Sequence, residues 1–172
     1  MIRVEHVLDS WKAIRADTAQ AVEDMPADEL SFKPVLEVGS FGEIARHALD
    51  SGHALSGLLL AGVEDMTVNF REEVGKHVHP LSRDAGQTEL AAALRSSADE
   101  RAAELLPQTP EWWAHVIVRF DGQKVTRLEM MQMVKEHELT HRSQLFMYLR
   151  LKGLVPSTTR RRLAKQQARD GR

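Results

Sequence analysis

Residues 126–153, TRLEMMQMVKEHELTHRSQLFMYLRLKG, read as one long amphipathic helix with a metal-binding string inside it. Thr126 and Glu129 stand at the spacing of a capping box, which starts a helix. Gly153 sits where a C-cap glycine belongs, and Pro156 prevents continuation. The apolar stripe predicted to face inward is Met130, Val134, His137, His141, Leu145 and Tyr148 or Leu149, with Met131 and Met133 also in the core. His137-Glu138-Leu139-Thr140-His141 is the pattern H-E-x-x-H. Two imidazoles four residues apart share a helix face, one turn apart, and can grip one metal ion. Two such rings buried without a partner would cost several kcal/mol, so ligation is the reading that burial and spacing share.

The same string is the zinc signature of metalloproteases, whose third ligand is a downstream Glu or His. Residues 142–172 contain neither. The third ligand must therefore come from upstream.

Three further helical segments lie there. The first spans about Val4 to Met25, with Val7, Leu8, Trp11, Ile14, Thr18, Val22 and Met25 as its stripe and Pro26 behind it. The second starts at the capping box Ser40-Phe41-Gly42-Glu43 and ends near Ala61-Gly62. The third spans about Thr88 to Leu106, before Pro107. The stretch from Glu64 to Gly86 reads as loop. Between Trp112 and Thr126, Trp113, Val116, Val118 and Phe120 precede Asp121-Gly122, a strong hairpin signal. Four amphipathic helices without a strong sheet argue for an all-α four-helix bundle with a small β-hairpin before the last helix. Its connections are longer than the shortest bundle loops, so a simple up-down series is not required.

Of the eight histidines, His47 is the best third ligand, because it lies with Ile44 and Ala48 on the inward face of the second helix. His53 is turned roughly 120° from it and reads as non-ligating. His77 and His79 read as exposed loop residues, with a loop chelate as the alternative. His6 and His115 have no partner at ligand spacing. Asp50, three residues after His47, can hydrogen-bond a ligand imidazole from behind. Glu138 and Arg142 are the candidate catalytic residues, as a base beside the metal and an anion-binding group. The simpler account pairs them with each other as an exposed i,i+4 ion pair.

The strings Ser40-Phe41-Gly42-Glu43-Ile44-Ala45-Arg46-His47, His137 to Leu145 (HELTHRSQL) and Tyr148 to Gly153 (YLRLKG) resemble the DinB/YfiT-like superfamily. That superfamily includes thiol S-transferases and mycothiol-dependent maleylpyruvate isomerase. The resemblance covers about residues 1–156. It implies a four-helix bundle, a divalent metal held by His47, His137 and His141, activation of a low-molecular-weight thiol for attack on a small-molecule electrophile, and a homodimer. Zinc is the expected ion, and nickel also suits three imidazoles. A non-catalytic metal-stabilised or ligand-binding bundle and a metallo-hydrolase using metal-bound water stand as alternatives.

Composition sets the outer limits. A chain of 172 residues, 42% hydrophobic and 28% charged, suits one soluble globular domain. The absence of cysteine excludes disulfides, cysteine-ligated zinc and a cysteine nucleophile, so any thiol must come from outside. The N-terminal residues lack the pattern of a signal peptide, and the longest near-apolar stretch, Ala54 to Val63, is too short to span a bilayer. A cytoplasmic location without membrane association is the expectation. Residues 160–172 carry six Lys/Arg and one Asp, a balance of +5 that leaves −7 for the rest of a chain of net charge −2. Residues 157–172 therefore read as a flexible basic tail outside the bundle. An acidic body, and a tail with no aromatic residue, make a poor nucleic-acid platform.

Overall fold

A computed structural model describes residues 3–171 of the chain. Its elements are α1 (Val4–Asp24), a 3₁₀ turn (Ala27–Glu29), α2 (Phe41–Leu60), α3 (Phe70–Lys76), α4 (Gln87–Leu105), α5 (Pro110–Ala114), β1 (Val116–Val118), β2 (Lys124–Thr126), α6 (Arg127–Leu151) and α7 (Ser157–Asp170).

Two of the four long helices, α2 and α6, start at reciprocal side-chain caps. At α2 the Glu43 amide donates to Ser40 Oγ at 3.2 Å, and the Ser40 amide donates to Glu43 Oε2 at 2.7 Å. Thr126 and Glu129 make the same reciprocal cap at α6. Gly153 stops α6 with a φ of 76°, in the left-handed region that favours glycine. Each cap satisfies amide groups that the helix leaves without internal partners.

Both α1 and α2 pack on α4 and α6, while contact between α1 and α2 is slight. The chain therefore crosses the bundle diagonal from α1 to α2, and again from α4 to α6. This explains the long connections. Four amphipathic faces meet in two apolar clusters. One gathers Leu8, Trp11, Leu58, Leu105, Ile117 and Met130, the other Val22, Met25, Phe41, Leu49, Leu94 and Leu149. Between them, at mid-height, lie Arg15 and Glu138, both fully buried.

The hairpin forms with Gly122 at φ 82° in its turn and with Ile117 opposite Val125. Its strands are three residues long, and Ile117, not Val116, faces the core: Val116 is 53% exposed. Trp113 belongs to α5, which Thr109 caps and Pro110 opens, and not to a strand. Residues 64–86 are not all loop. The Asp65 segment adds a parallel bridge to Val118, and Phe70–Lys76 forms a two-turn helix, too short for its periodicity to register in sequence. Residues 157–170, expected as a flexible tail, are helical. Arg160 pairs with Asp24 at 2.8 Å and Arg161 with Asp17 at 2.7 Å, so the basic charge is partly met by acids on α1. Among the described residues, no helix is long and apolar enough to cross a membrane.

Candidate metal centre

His47 projects from α2, and His137 and His141 from α6. Their Nε2 atoms converge: His47 to His137 is 3.3 Å and His141 to His137 is 3.0 Å. Zinc–imidazole bonds of about 2.0–2.1 Å at tetrahedral to octahedral angles put ligand nitrogens about 2.9–3.4 Å apart, so the spacing fits one ion. The chemistry of the donor set fits as well. One N–H can bridge two imidazoles, but a third facing nitrogen then has no donor, whereas a cation satisfies three lone pairs together. Partial burial holds the His47 and His137 pKa values below the ordinary range, His137 to about 4, and the neighbouring imidazoles push the same way. Both rings are therefore neutral near pH 7, the form that ligates. Among the described residues, this is the one group of three His or acidic side chains so arranged.

The triad does not occupy the core face that the sequence suggested. His47 is exposed as a residue, although its ring is partly desolvated, and His137 and His141 are only partly buried. The buried positions of α6 run through Met130, Val134, Glu138, Leu145 and Leu149, which leaves His137 and His141 on the flank toward α2. Gln144, overlooked in the sequence, orients one imidazole of the triad: His141 Nδ1 donates to its Oε1 at 2.8 Å, which turns Nε2 toward the other two rings. Its i+3 spacing from His141 was the available signal. Asp50 instead accepts from Arg46 Nε at 2.9 Å, and its second oxygen is buried without a partner.

The exposed Glu138–Arg142 pair is also corrected. Glu138 is 1% exposed. It accepts from Arg15 Nε at 2.5 Å, Arg15 Nη2 at 2.7 Å and Trp11 Nε1 at 2.7 Å. Arg142 turns to Asp17 of α1, at 3.4 Å, and lies over the Phe146 ring. Burial of Glu138 follows from its place on the inward stripe, four residues after Val134.

The other histidines stay apart from the triad. His53 Nε2 accepts from Arg101 Nη2 at 2.9 Å, and burial with that guanidinium lowers its pKa to about 4. His79 packs edge-on against the His53 ring and accepts the Leu81 amide at 3.1 Å. His77 follows α3 and lies close to Gly57. His115 meets Glu64 at 3.1 Å, and His6 contacts Arg3. Both His77 and His79, expected to be exposed, are partly buried. A cavity of about 470 Å³ shares His47 with the triad and is lined by Arg46, Asp50, Leu81, Arg83 and Leu90.

The sequence model of the DinB family matches residues 1–171. The uncharacterized protein YjoA of Bacillus subtilis (strain 168) is 24% identical over 153 residues, 89% of this chain and 93% of YjoA. Its crystal structure superposes with a TM-score of 0.66 over 86% of this chain and 92% of that one. YfiT from Bacillus subtilis, described as a probable metal-dependent hydrolase with an unusual four-helix bundle topology, gives a TM-score of 0.62 at 16% identity, covering 90% of this chain and 91% of its own. The mycothiol-dependent maleylpyruvate isomerase gives 0.62 at 15% identity, over 84% of this chain and 61% of the isomerase. At these identities the structural likeness is one of fold.

Proposed function

This chain belongs to the DinB family, and from that premise we propose that it is a divalent-metal-dependent enzyme that transfers a low-molecular-weight thiol to a small electrophile. The observation that carries this reading is the convergence of three imidazole nitrogens on one point. His47, His137 and His141 are the assigned ligands, zinc the expected ion and nickel a second that suits them. Three protein ligands leave coordination positions open, as in catalytic rather than structural sites. A bound ion supplies Lewis acidity, lowering the pKa of a thiol or water at an open position.

The chain's own residues provide the rest. The neutral imidazoles of His47 and His137 present lone pairs, and Gln144 fixes the His141 tautomer. The cavity beside His47 is of a size for a small molecule, with Arg46, Asp50 and Arg83 as polar lining. With no cysteine in the chain, the thiol is a cosubstrate. Glu138 and Arg142 are engaged in ion pairs and are given no catalytic role. The family likeness also supports a homodimer, which sedimentation of the purified protein checks.

Two measurements test the reading. Wild-type protein is expected to hold about one divalent ion per chain and His47→Ala to lose it; full occupancy in the variant would sink the triad. Zinc-loaded protein mixed with a small thiol and an alkyl-halide electrophile is expected to consume thiol in a metal-dependent way. Metal-dependent cleavage of an ester without thiol would favour the hydrolytic chemistry named for YfiT, and binding without turnover a non-catalytic bundle.

A further inference from the structure

The layer of charge between the two apolar clusters lies at the height of the metal ligands. Arg15 is 0% and Glu138 1% exposed. The Arg15 guanidinium grips both Glu138 oxygens, at 2.5 and 2.7 Å. It also donates to Ser97 Oγ at 3.0 Å and to the Ala48 carbonyl at 3.1 Å. One side chain of α1 thereby joins α2, α4 and α6. Neither member of the pair has an orphaned buried polar atom.

Stability alone is a poor reason for such a pair, since apolar residues of similar volume often serve as well or better. Its placement suggests another. Glu138 directly follows His137 and precedes His141 by three residues. Ala48 directly follows His47. The guanidinium is therefore tied beside the ligands on both helices that carry them. Space has been kept for it: a Cβ at Gly52 would collide with Arg15 Nη2. The ligands themselves lie outside the closed core, His47 exposed and His137 and His141 only partly buried, yet ligand nitrogens must meet within about 0.5 Å of their working geometry.

We propose that Arg15 and Glu138 are positioning residues for the metal site, locking α2 against α6 so that His47 meets His137 and His141. This rests on the triad reading above. The test is zinc affinity, by competition with a chromophoric chelator, together with the visible spectrum of the cobalt(II) form. The double variant Arg15→Met/Glu138→Leu removes both charges, so no unpaired ion is left to unfold the bundle. It is expected to bind zinc at least about tenfold more weakly than wild type and to shift the cobalt bands. Arg15→Lys, which keeps a cation for Glu138 but loses the forked grip, should move both readouts the same way and stands in if the double variant does not fold. Leu105→Ala, a core truncation about two turns along α4 from Ser97, should lose stability yet keep zinc affinity. Wild-type affinity in the double variant, or in Arg15→Lys if it alone folds, overturns the inference and leaves the triad standing. So does a loss in Leu105→Ala matching theirs. Wild-type protein that binds no zinc overturns the triad and the inference together.

Discussion

On the inward face of α6, Glu138 is 1% exposed and both its oxygens accept hydrogen bonds, whereas His137, one residue earlier, is partly solvated and its Nε2 faces only the nitrogens of His141 and His47. The two side chains are about 100° apart around one helix. The inner group is complete: an anion met by a guanidinium and an indole. The outer group has a different kind of neighbour: three imidazole nitrogens turned toward one another, at 3.0 and 3.3 Å, with no acid or guanidinium among the described residues paired to them. Burial and ion pairing mark the group that builds the bundle, and convergence of like donor atoms near the surface marks the candidate metal centre.

The sharpest way to break this contrast is to remove half of the inner pair. Glu138→Leu alone strands the Arg15 charge in the core and should cost about 3–5 kcal/mol in urea unfolding, most of it restored by adding Arg15→Met. A small loss would mean that the guanidinium finds water, and that the inner face is not closed. Zinc at about 100 times its dissociation constant should raise wild-type stability by about 2.7 kcal/mol. His47→Ala should abolish that gain, while its metal-free stability stays within about 0.5 kcal/mol of wild type. A large metal-free loss would place His47 among the building groups. Gly52→Ala presses a methyl group onto Arg15 and should cost about 1–3 kcal/mol by thermal unfolding; an unchanged melting temperature would show slack in the layer. The smallest effect concerns His53. It is held neutral in the folded state, down to a pKa of about 4, and protonates near 6.5 when unfolded. Its contribution is present above pH 6.5 and lost as pH falls toward 4. His53→Gln should flatten the metal-free stability profile in that window, and an unaltered profile would refute the assignment.

Much of this was legible from local signals. The caps at Ser40 and Thr126, the Asp121-Gly122 turn and the stop at Gly153 act within four residues, so sequence displays them whole. The convergence of the three histidines was legible because His137 and His141 share a turn and, with no His or Glu downstream, the third partner had to lie upstream, at His47. The phase of α6 was not. His137, Glu138 and His141 all fit an inward stripe, and apolar preference assigned the acid to solvent. Its burial depends on Arg15, a cation on the apolar stripe of α1, and no local spacing connects the two. The helix Phe70–Lys76 escaped because seven residues hold barely two turns, and α7 because a run of like charge reads as disorder until Asp17 and Asp24 are placed beside it.

The distance in chain between the charged partners has a consequence for biosynthesis. Arg15 and Glu138 are 123 residues apart, so at about 5–20 residues per second Arg15 precedes its counter-ion by about 6–25 s on the ribosome. Its other partners, the Ser97 hydroxyl and the Ala48 carbonyl, carry no negative charge, and burying the guanidinium without a counter-ion is costly. The first three long helices therefore cannot dry the centre of the bundle by themselves. Arrival of α6 does so, and it brings two of the three histidines of the candidate metal centre in the same stroke.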